Sequence, residues 1–290
     1  MPEGLVTRAQ GGFFDVQSDE ETRRCRARGV FKKRGVTVWV GDHVRFDPIG
    51  SKEGIITEVL PRRTMLIRPP IANIDQVLLV FSVVTPDLNI HLLDRTLVSA
   101  LCAGLDAVLV LTKCDLATSE QVAEFERIYR TVGLPVLTIA AKLGVGVEEV
   151  RAHLAGKLTV FAGPSGAGKS TLANAILPEL GLKMGEVSEK IGLGRHTTRH
   201  VELFQVAEET WVADAPGFSQ LDVDVPSSEL RLYFPEFAHV QPCPYRGCLH
   251  VEEADCQIKQ AVTEGRIEAR RYESYCMIFR EIREREERRY

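Results

Sequence analysis

Residues 158–171 constrain the fold more than any other stretch of the 290. Leu158-Thr-Val-Phe-Ala162 is an apolar run of strand character. It leads directly into Gly163-Pro164-Ser165-Gly166-Ala167-Gly168-Lys169-Ser170-Thr171, a complete G-x₄-G-K-S pattern. Residues 170–175 then read as a helix. Strand, glycine-rich loop and helix in that succession make a phosphate-binding unit of an α/β fold. Glycines let backbone N–H groups curl around a phosphate, and the helix N-terminus adds positive potential. Lys169 is placed to bridge β- and γ-phosphate oxygens and Ser170 to bind Mg²⁺, with Thr171 completing the phosphate contacts.

The other parts of a guanine-nucleotide site are present in an unusual order. Thr112-Lys113-Cys114-Asp115 ends an apolar strand at 106–111 and precedes the phosphate loop. The Asp115 carboxylate can accept from the N1–H and 2-amino group of guanine, a pair that adenine lacks. The Lys113 stem can lie over the base while its head reaches the loop. Thr112 stands where Asn is usual and offers a hydroxyl instead. Ala140, Ala141 and Lys142 follow a strand at 136–140 and can reach the guanine O6 through backbone N–H groups.

Asp214-Ala215-Pro216-Gly217 comes last. Asp214 is expected to hold Mg²⁺ through water, and the Gly217 N–H to face the γ-phosphate. In the usual arrangement the phosphate loop leads and the base reader trails, so this chain is circularly permuted. Phe218 stands near the point where a water-positioning Gln is expected, and an apolar ring cannot orient water. The candidate replacement lies in Gly192-Leu-Gly-Arg-His-Thr-Thr-Arg-His200. There His196 can orient the attacking water, and Thr197 or Thr198 can complete the Mg²⁺ shell. Glycines 192 and 194 suit a loop that orders only on the triphosphate. The plainer alternative makes His196 and His200 exposed loop residues.

Three segments emerge. Residues 1–70 read as short strands with turn punctuation, including runs at 36–40, 44–46 and 54–60, and indicate a small OB-type β-barrel. Residues 71–220 alternate strands (75–84, 106–111, 136–140, 158–162) with helices (92–104, 119–132, 148–154), the pattern of a doubly wound parallel sheet. A strand pair is expected at 200–206 and 210–214. Residues 221–290 carry Cys243-x₄-Cys248-x-His250-x₅-Cys256, three thiolates and one imidazole that suit a closed tetrahedral Zn²⁺ site. Beyond it Tyr272, Tyr275, Phe279 and Ile282 fall at helical spacing, a stripe that packing against a neighbouring domain would explain.

Charge and cysteine usage narrow the setting. The net charge is −4, yet residues 1–70 hold 13 Lys/Arg against 9 Asp/Glu, which makes that segment the one suited to a polyanion. Seven cysteines, three of them within 14 residues, fit a metal site in a reducing compartment better than a disulfide framework. The N-terminus has no apolar signal core, and the longest apolar stretch, 77–84, is far short of the ~20 residues needed to span a bilayer. A cytoplasmic location without membrane contact is expected.

Taken together, these residues resemble the circularly permuted GTPases that act in maturation of the small ribosomal subunit. The resemblance covers nearly the whole chain, including Ala72-Asn73-Ile74-Asp75-Gln76, Leu93-Asp94-Arg95, Gly194-Arg195-His196-Thr197-Thr198 and the Cys/His cluster. It implies an N-terminal OB-type barrel, a permuted P-loop GTPase domain and a C-terminal helical zinc-binding module, with GTP and GDP as ligands. It further implies a monomer that binds rRNA near the decoding region of a late assembly intermediate, is stimulated there and leaves after hydrolysis. The departures are Thr112 for Asn and Ala140-Ala141 where Ser-Ala is common. Two other classes fit part of the pattern. One is a non-hydrolysing, nucleotide-gated RNA-binding scaffold, which Phe218 permits. The other is an ATP-using P-loop kinase, which Asp115 argues against.

Overall fold

The fold is given by a computed structural model that describes residues 1–178, 201–214 and 223–288, apart from positions 20, 30, 32–34 and 68. The chain divides into two compact units. The first holds Met1–Leu78, Val147–Ala162 and Lys169–Ser219, and the second holds Leu79–Gly146, Gly163–Gly168 and Gln220–Tyr290.

A closed barrel opens the first unit. Its strands are β1 (Glu3–Gln10), β2 (Phe13–Ser18), β3 (Glu21–Ala27), β4 (His43–Ile49) and β5 (Glu53–Val59), in the order β1-β2-β3-β5-β4. Strand β4 pairs back onto β1 and closes the ring, which removes the free edges an open sheet would expose. Alternation along the strands points Val6, Val16, Cys25, Val44, Phe46 and Ile56 inward, where they form the barrel core. The seam between β3 and β5 is parallel. A Cβ on Gly54 at that seam would meet Cys25 Sγ at 2.9 Å and Phe46 Cδ2 at 3.2 Å, so only glycine fits there without a shift.

Two local expectations differ from the structure. Residues 36–40 form no strand and contribute a single bridge, from Val40 to Ile71. Its backbone groups pair irregularly: the Val36 N–H donates to the Phe31 carbonyl (3.0 Å), the Val40 carbonyl accepts from the Ala72 N–H (2.9 Å), and two others go to side chains. The Trp39 N–H donates to Asp42 Oδ2 (2.7 Å), and Arg62 donates to the Thr37 carbonyl (2.6 Å) and to both Asp42 oxygens (2.6 and 2.8 Å). Strand β4 also runs on through Asp47-Pro48, with Pro48 opposite Gly54 near the strand end. A missing N–H is tolerated at such a position.

After the barrel, β6 (Met65–Ile67) and β7 (Pro70–Ala72) make a small hairpin, and β8 (Gln76–Ser82) follows. The first unit continues with helix α3 (Val147–Leu154), β11 (Leu158–Ala162), helix α4 (Lys169–Ile176), β12 (Glu202–Ala207) and β13 (Thr210–Asp214). Strand β13 runs parallel to β11, and β12 runs antiparallel to β13. Gln76 is buried at the root of β11. Its amide donates to the His153 carbonyl (2.7 Å) and Thr159 Oγ1 (3.0 Å) and accepts from Lys157 Nζ (3.0 Å). Arg151 of α3 donates to the Ala175 carbonyl of α4 (2.8 Å).

In the second unit the strand order is β10-β9-β8, with β9 (Asp106–Thr112) and β10 (Val136–Thr138) parallel. Every residue of β8 is buried, the mark of a strand covered on both faces. Helix α1 (Ile90–Cys102) starts at Asn89, whose side chain accepts from the Leu92 N–H, and α2 (Ser119–Thr131) starts with a full capping box from Thr118 and Gln121. The C-terminal helices are α5 (Gln257–Thr263) and α6 (Ala269–Glu287). Tyr275, Phe279 and Ile282 of α6 are buried as their spacing predicts, and Tyr272 packs at the edge of the same core. That core also contains Val98 of α1, Phe234, Phe237, Cys248 and Cys256. Among the described residues, no helix is long and apolar enough to cross a membrane.

Candidate nucleotide and metal sites

The glycine-rich loop starts where β11 ends, and close approach of its backbone to β8 explains its first residue. A Cβ on Gly163 would collide with the Val80 carbonyl, and its φ of 142° lies in the region that favours glycine. Gly168, at φ 95°, lies against Thr112, whose Oγ1 would stand 3.3 Å from an added Cβ. Ala167 is buried, while Ser165 and Gly166 are exposed at the loop crest. Lys169 and Ser170 follow as the first residues of α4, with Thr171 next.

Chain segments far apart in sequence meet at this loop. The Thr112 hydroxyl donates to the Ala167 carbonyl (2.5 Å), and Lys113 Nζ donates to the Gly166 carbonyl (2.7 Å) and to the Thr85 carbonyl. Thr112 is buried, so its hydroxyl braces the loop; Asn at this position would do so with an amide. Lys113 takes a left-handed backbone, φ 56°, and opens the 3₁₀ turn Cys114–Leu116. Asp115 stands exposed in that turn. The Cys114 N–H donates to the Ile139 carbonyl (3.2 Å), which draws the 140–145 turn to the same end of the sheet. There the Ala140 N–H donates to the Val145 carbonyl (3.1 Å). Ala141 and Lys142 begin the 3₁₀ turn Ala141–Leu143, and the first N–H groups of such a turn have no partner within it. They are the candidate donors to a base carbonyl.

Thr112→Val is expected to loosen the loop, because Val keeps the shape and leaves the buried Ala167 carbonyl without its donor. Such a loss costs about 1–3 kcal/mol. Nucleotide titration of the folded variant checks it, and affinity equal to the parent would remove the bracing role.

Asp214 closes β13. His196, Thr197, Thr198 and Gly217 lie outside the described residues, as does Phe218. Spacing gave no sign of the turn after β8. Thr85 accepts from Lys113, and Pro86 Cδ lies 3.6 Å from the Cβ position of Gly166. The available signal was position alone, since loops at the carboxyl ends of strands line the ligand crevice of open α/β sheets.

The four Cys/His residues do come together. Their ligand atoms all lie within 4.8 Å of one another. Cys243 Sγ stands 3.6 Å from His250 Nδ1 and 4.0 Å from Cys256 Sγ, and His250 Nδ1 stands 3.3 Å from Cys256 Sγ. A tetrahedral zinc with bonds near 2.3 Å to sulfur requires edges of about 3.8 Å, so the cage has the right size. The loop is fixed from outside. Glu253 accepts from the Leu249 and Val251 N–H groups (2.7 and 3.0 Å), while Tyr275 and Tyr272 donate to the Leu249 and His250 carbonyls (2.6 and 2.8 Å). Burial pushes the Cys248 thiol up to about 12 and also raises Cys256. Burial, and then the Arg231 charge, lower His250. Thiolates in such a pocket need a cation beside them, and this donor set fits Zn²⁺.

A Thr-Lys-Cys-Asp turn bonded through its side chains to a glycine-rich loop that follows it in sequence is the arrangement of a circularly permuted P-loop GTPase. Comparison with known proteins agrees. The RsgA GTPase family matches residues 59–224, and the RsgA N-terminal domain matches residues 3–56. The chain belongs to the RsgA GTPase family. The small ribosomal subunit biogenesis GTPase RsgA of Caldanaerobacter subterraneus subsp. tengcongensis is 43% identical over 99% of this chain and 98% of its own. That of Geobacillus thermodenitrificans is 44% identical over 99% of this chain and 100% of its own. Among solved structures, YjeQ from Thermotoga maritima matches with a TM-score of 0.85 at 36% identity, covering 97% of this chain and 98% of that one. YloQ, a circularly permuted GTPase, matches with a TM-score of 0.83 at 37% identity, covering 98% and 96%.

Proposed function

We infer that this protein hydrolyses GTP and acts in biogenesis of the small ribosomal subunit, binding the subunit through its rRNA and leaving after hydrolysis. The observation that carries this reading is the pair of bonds from Thr112 and Lys113 to Ala167 and Gly166. They couple a guanine-reading turn to a phosphate loop, as discrimination and hydrolysis of one nucleotide require. In this reading Asp115 accepts from the guanine N1–H and 2-amino group, and the Ala141 and Lys142 N–H groups, beside Ala140, donate to O6. The loop 163–168 wraps the β-phosphate, and Lys169 draws charge from the β- and γ-oxygens. Thr171 and Gly217 complete the phosphate contacts. Ser170 directly, and Asp214 through water, would hold Mg²⁺ with the hard oxygen ligands that suit it, and Thr197 or Thr198 would join them. Bound there, the ion would neutralise charge that develops on the transferred phosphoryl group.

The segment boundaries near residues 70 and 220, the Zn²⁺ ion of Cys243, Cys248, His250 and Cys256, the monomeric state and a cytoplasmic location belong to the same reading. The basic balance of residues 1–70 supports rRNA as the partner. The test is turnover of GTP and ATP by the full chain with and without small ribosomal subunits. GTP turnover stimulated by subunits supports the reading. ATP turnover at equal rate, or no turnover of either, refutes it.

His196 is the proposed water-positioning residue. His196→Ala is expected to leave nucleotide affinity nearly unchanged while suppressing the subunit-stimulated rate, roughly 10²–10⁴-fold for a lost acid–base or positioning group. Lys169→Ala is expected to weaken binding as well, since it meets phosphates already in the ground state. Single-turnover hydrolysis on saturating subunits decides. A parental rate for His196→Ala there would place the catalytic group elsewhere.

A further inference from the structure

A fully buried charge cluster joins helix α1 to helix α6. Arg271 of α6 is 1% exposed and Asp94 of α1 is 0% exposed. Arg271 Nη1 donates to Asp94 Oδ1, and its Nε and Nη2 donate to the two oxygens of Glu236 at 2.9 Å each. The Tyr129 hydroxyl of α2 donates to the same Asp94 oxygen (2.9 Å). The guanidinium also lies over the Phe234 and Tyr129 rings, 5.0 and 5.6 Å from their centres. Burial pushes the Asp94 carboxyl above its usual range, and the Arg271 charge pulls it back. Buried ion pairs of this kind are often replaceable by apolar residues without loss of stability. What the cluster fixes in space therefore matters more than what it adds to folding.

It fixes α1, and α1 leads straight back to the nucleotide site. One turn from its start, α1 is fastened to α6 by Asp94, and by His91 and Arg95, which both meet Glu281. Val98 then enters the core that α6 shares with Cys248 and Cys256. On the other side of the Asn89 cap, the turn at 83–88 is bonded to the base reader and faces the phosphate loop. The Val83 N–H donates to the Thr112 carbonyl (3.1 Å), the Thr85 carbonyl accepts from Lys113 Nζ, and Pro86 faces Gly166. The Pro86 carbonyl is held by the Ser82 hydroxyl (2.8 Å). A displacement of α1 along its axis would pull Thr85 away from Lys113.

We propose that Asp94 and Arg271 are positioning residues for nucleotide binding. By seating α1 against α6 they hold the 83–88 turn against Lys113, so the C-terminal module sets the affinity for guanine nucleotide. The proposal rests on the reading of Thr112-Lys113-Cys114-Asp115 as the base reader. Linkage makes it reciprocal: nucleotide bound beside Lys113 must tighten the α1–α6 contact by the same factor.

The test uses the full-length, metal-loaded protein and fluorescent GDP. Asp94→Asn and Arg271→Met are expected to weaken GDP roughly tenfold, within the usual range of coupling between sites. The rate of bound-GTP hydrolysis should change little, so the effect falls on KM and not on kcat. Glu236→Gln removes the partner of Arg271 that does not lie on α1. It should lower Tm and leave GDP affinity within about twofold. An equal loss of affinity in Glu236→Gln would trace the effect to lost stability and overturn the proposal. So would parental affinity in a folded Asp94→Asn protein with full metal content. Hydrogen exchange on the unmodified protein needs no variant to fold. Amides of α6 around Arg271 should exchange more slowly when GDP is added, and unchanged exchange at saturating GDP would also overturn it. Failure of the unmodified protein to bind guanine nucleotide would instead refute the functional reading itself.

Discussion

Cys248→Ser, or prolonged treatment with a strong chelator, is expected to unfold the C-terminal module selectively. Metal analysis of the parent should give about one equivalent of zinc, and the variant clearly less. The physical argument lies in where the thiols sit. Cys248 and Cys256 belong to the same core as Phe234, Phe237 and Tyr275, and the His250 ring meets Phe237 edge-on with centroids 5.6 Å apart. Without a cation, these thiols must stay protonated inside that core, as the rise of Cys248 to about 12 through burial indicates. Structural zinc contributes about 10–16 kcal/mol of apparent binding energy in small zinc modules. That matches the whole net stability of a typical domain, about 5–15 kcal/mol. Limited proteolysis between residues 223 and 288 is the direct readout. A metal-free protein that resists protease there, with an unchanged Tm, would show that the cluster is not a structural metal site.

Asp115→Asn is expected to weaken GTP about tenfold to a hundredfold, from the loss of one charge-assisted hydrogen-bond arrangement of roughly 1.5–3 kcal/mol. Asn presents one donor and one acceptor where Asp presents two acceptors, so xanthosine triphosphate should gain what GTP loses. Asp115 is exposed in its turn, so the variant should keep the parental Tm. A competition titration of the two triphosphates measures the exchange. Equal GTP affinity in parent and variant would remove Asp115 from the base site.

Much of this was legible before any coordinates, and for identifiable reasons. The phosphate loop, the base reader and the Cys/His cluster are local motifs whose residue types state their own chemistry. Helices such as 119–131 carry their capping signals in sequence, here Thr118 and Gln121. The segment at 36–40 misled because its apolar alternation resembles a strand, while Asp42 and Arg62, a long-range pair, take up the Trp39 N–H and the Thr37 carbonyl that a ladder would use. Arg271 escaped notice for a related reason. A charged residue on an amphipathic helix is normally solvated, and only the meeting of Asp94, Tyr129 and Glu236 from other elements buries it. The Thr85 contact with Lys113 was equally hidden, since a backbone carbonyl leaves no trace in side-chain identity.

The bond from Thr112 to Ala167 joins residues 55 positions apart, and Thr112 is made first. During synthesis the Thr112–Asp115 turn is therefore made while the glycine-rich loop it braces has yet to be joined to it. At about 5–20 residues per second, this interval lasts roughly 3–11 s. Throughout it the Thr112 hydroxyl and Lys113 ammonium have none of their loop partners. A nucleotide that needs both segments can be held only once that interval has passed.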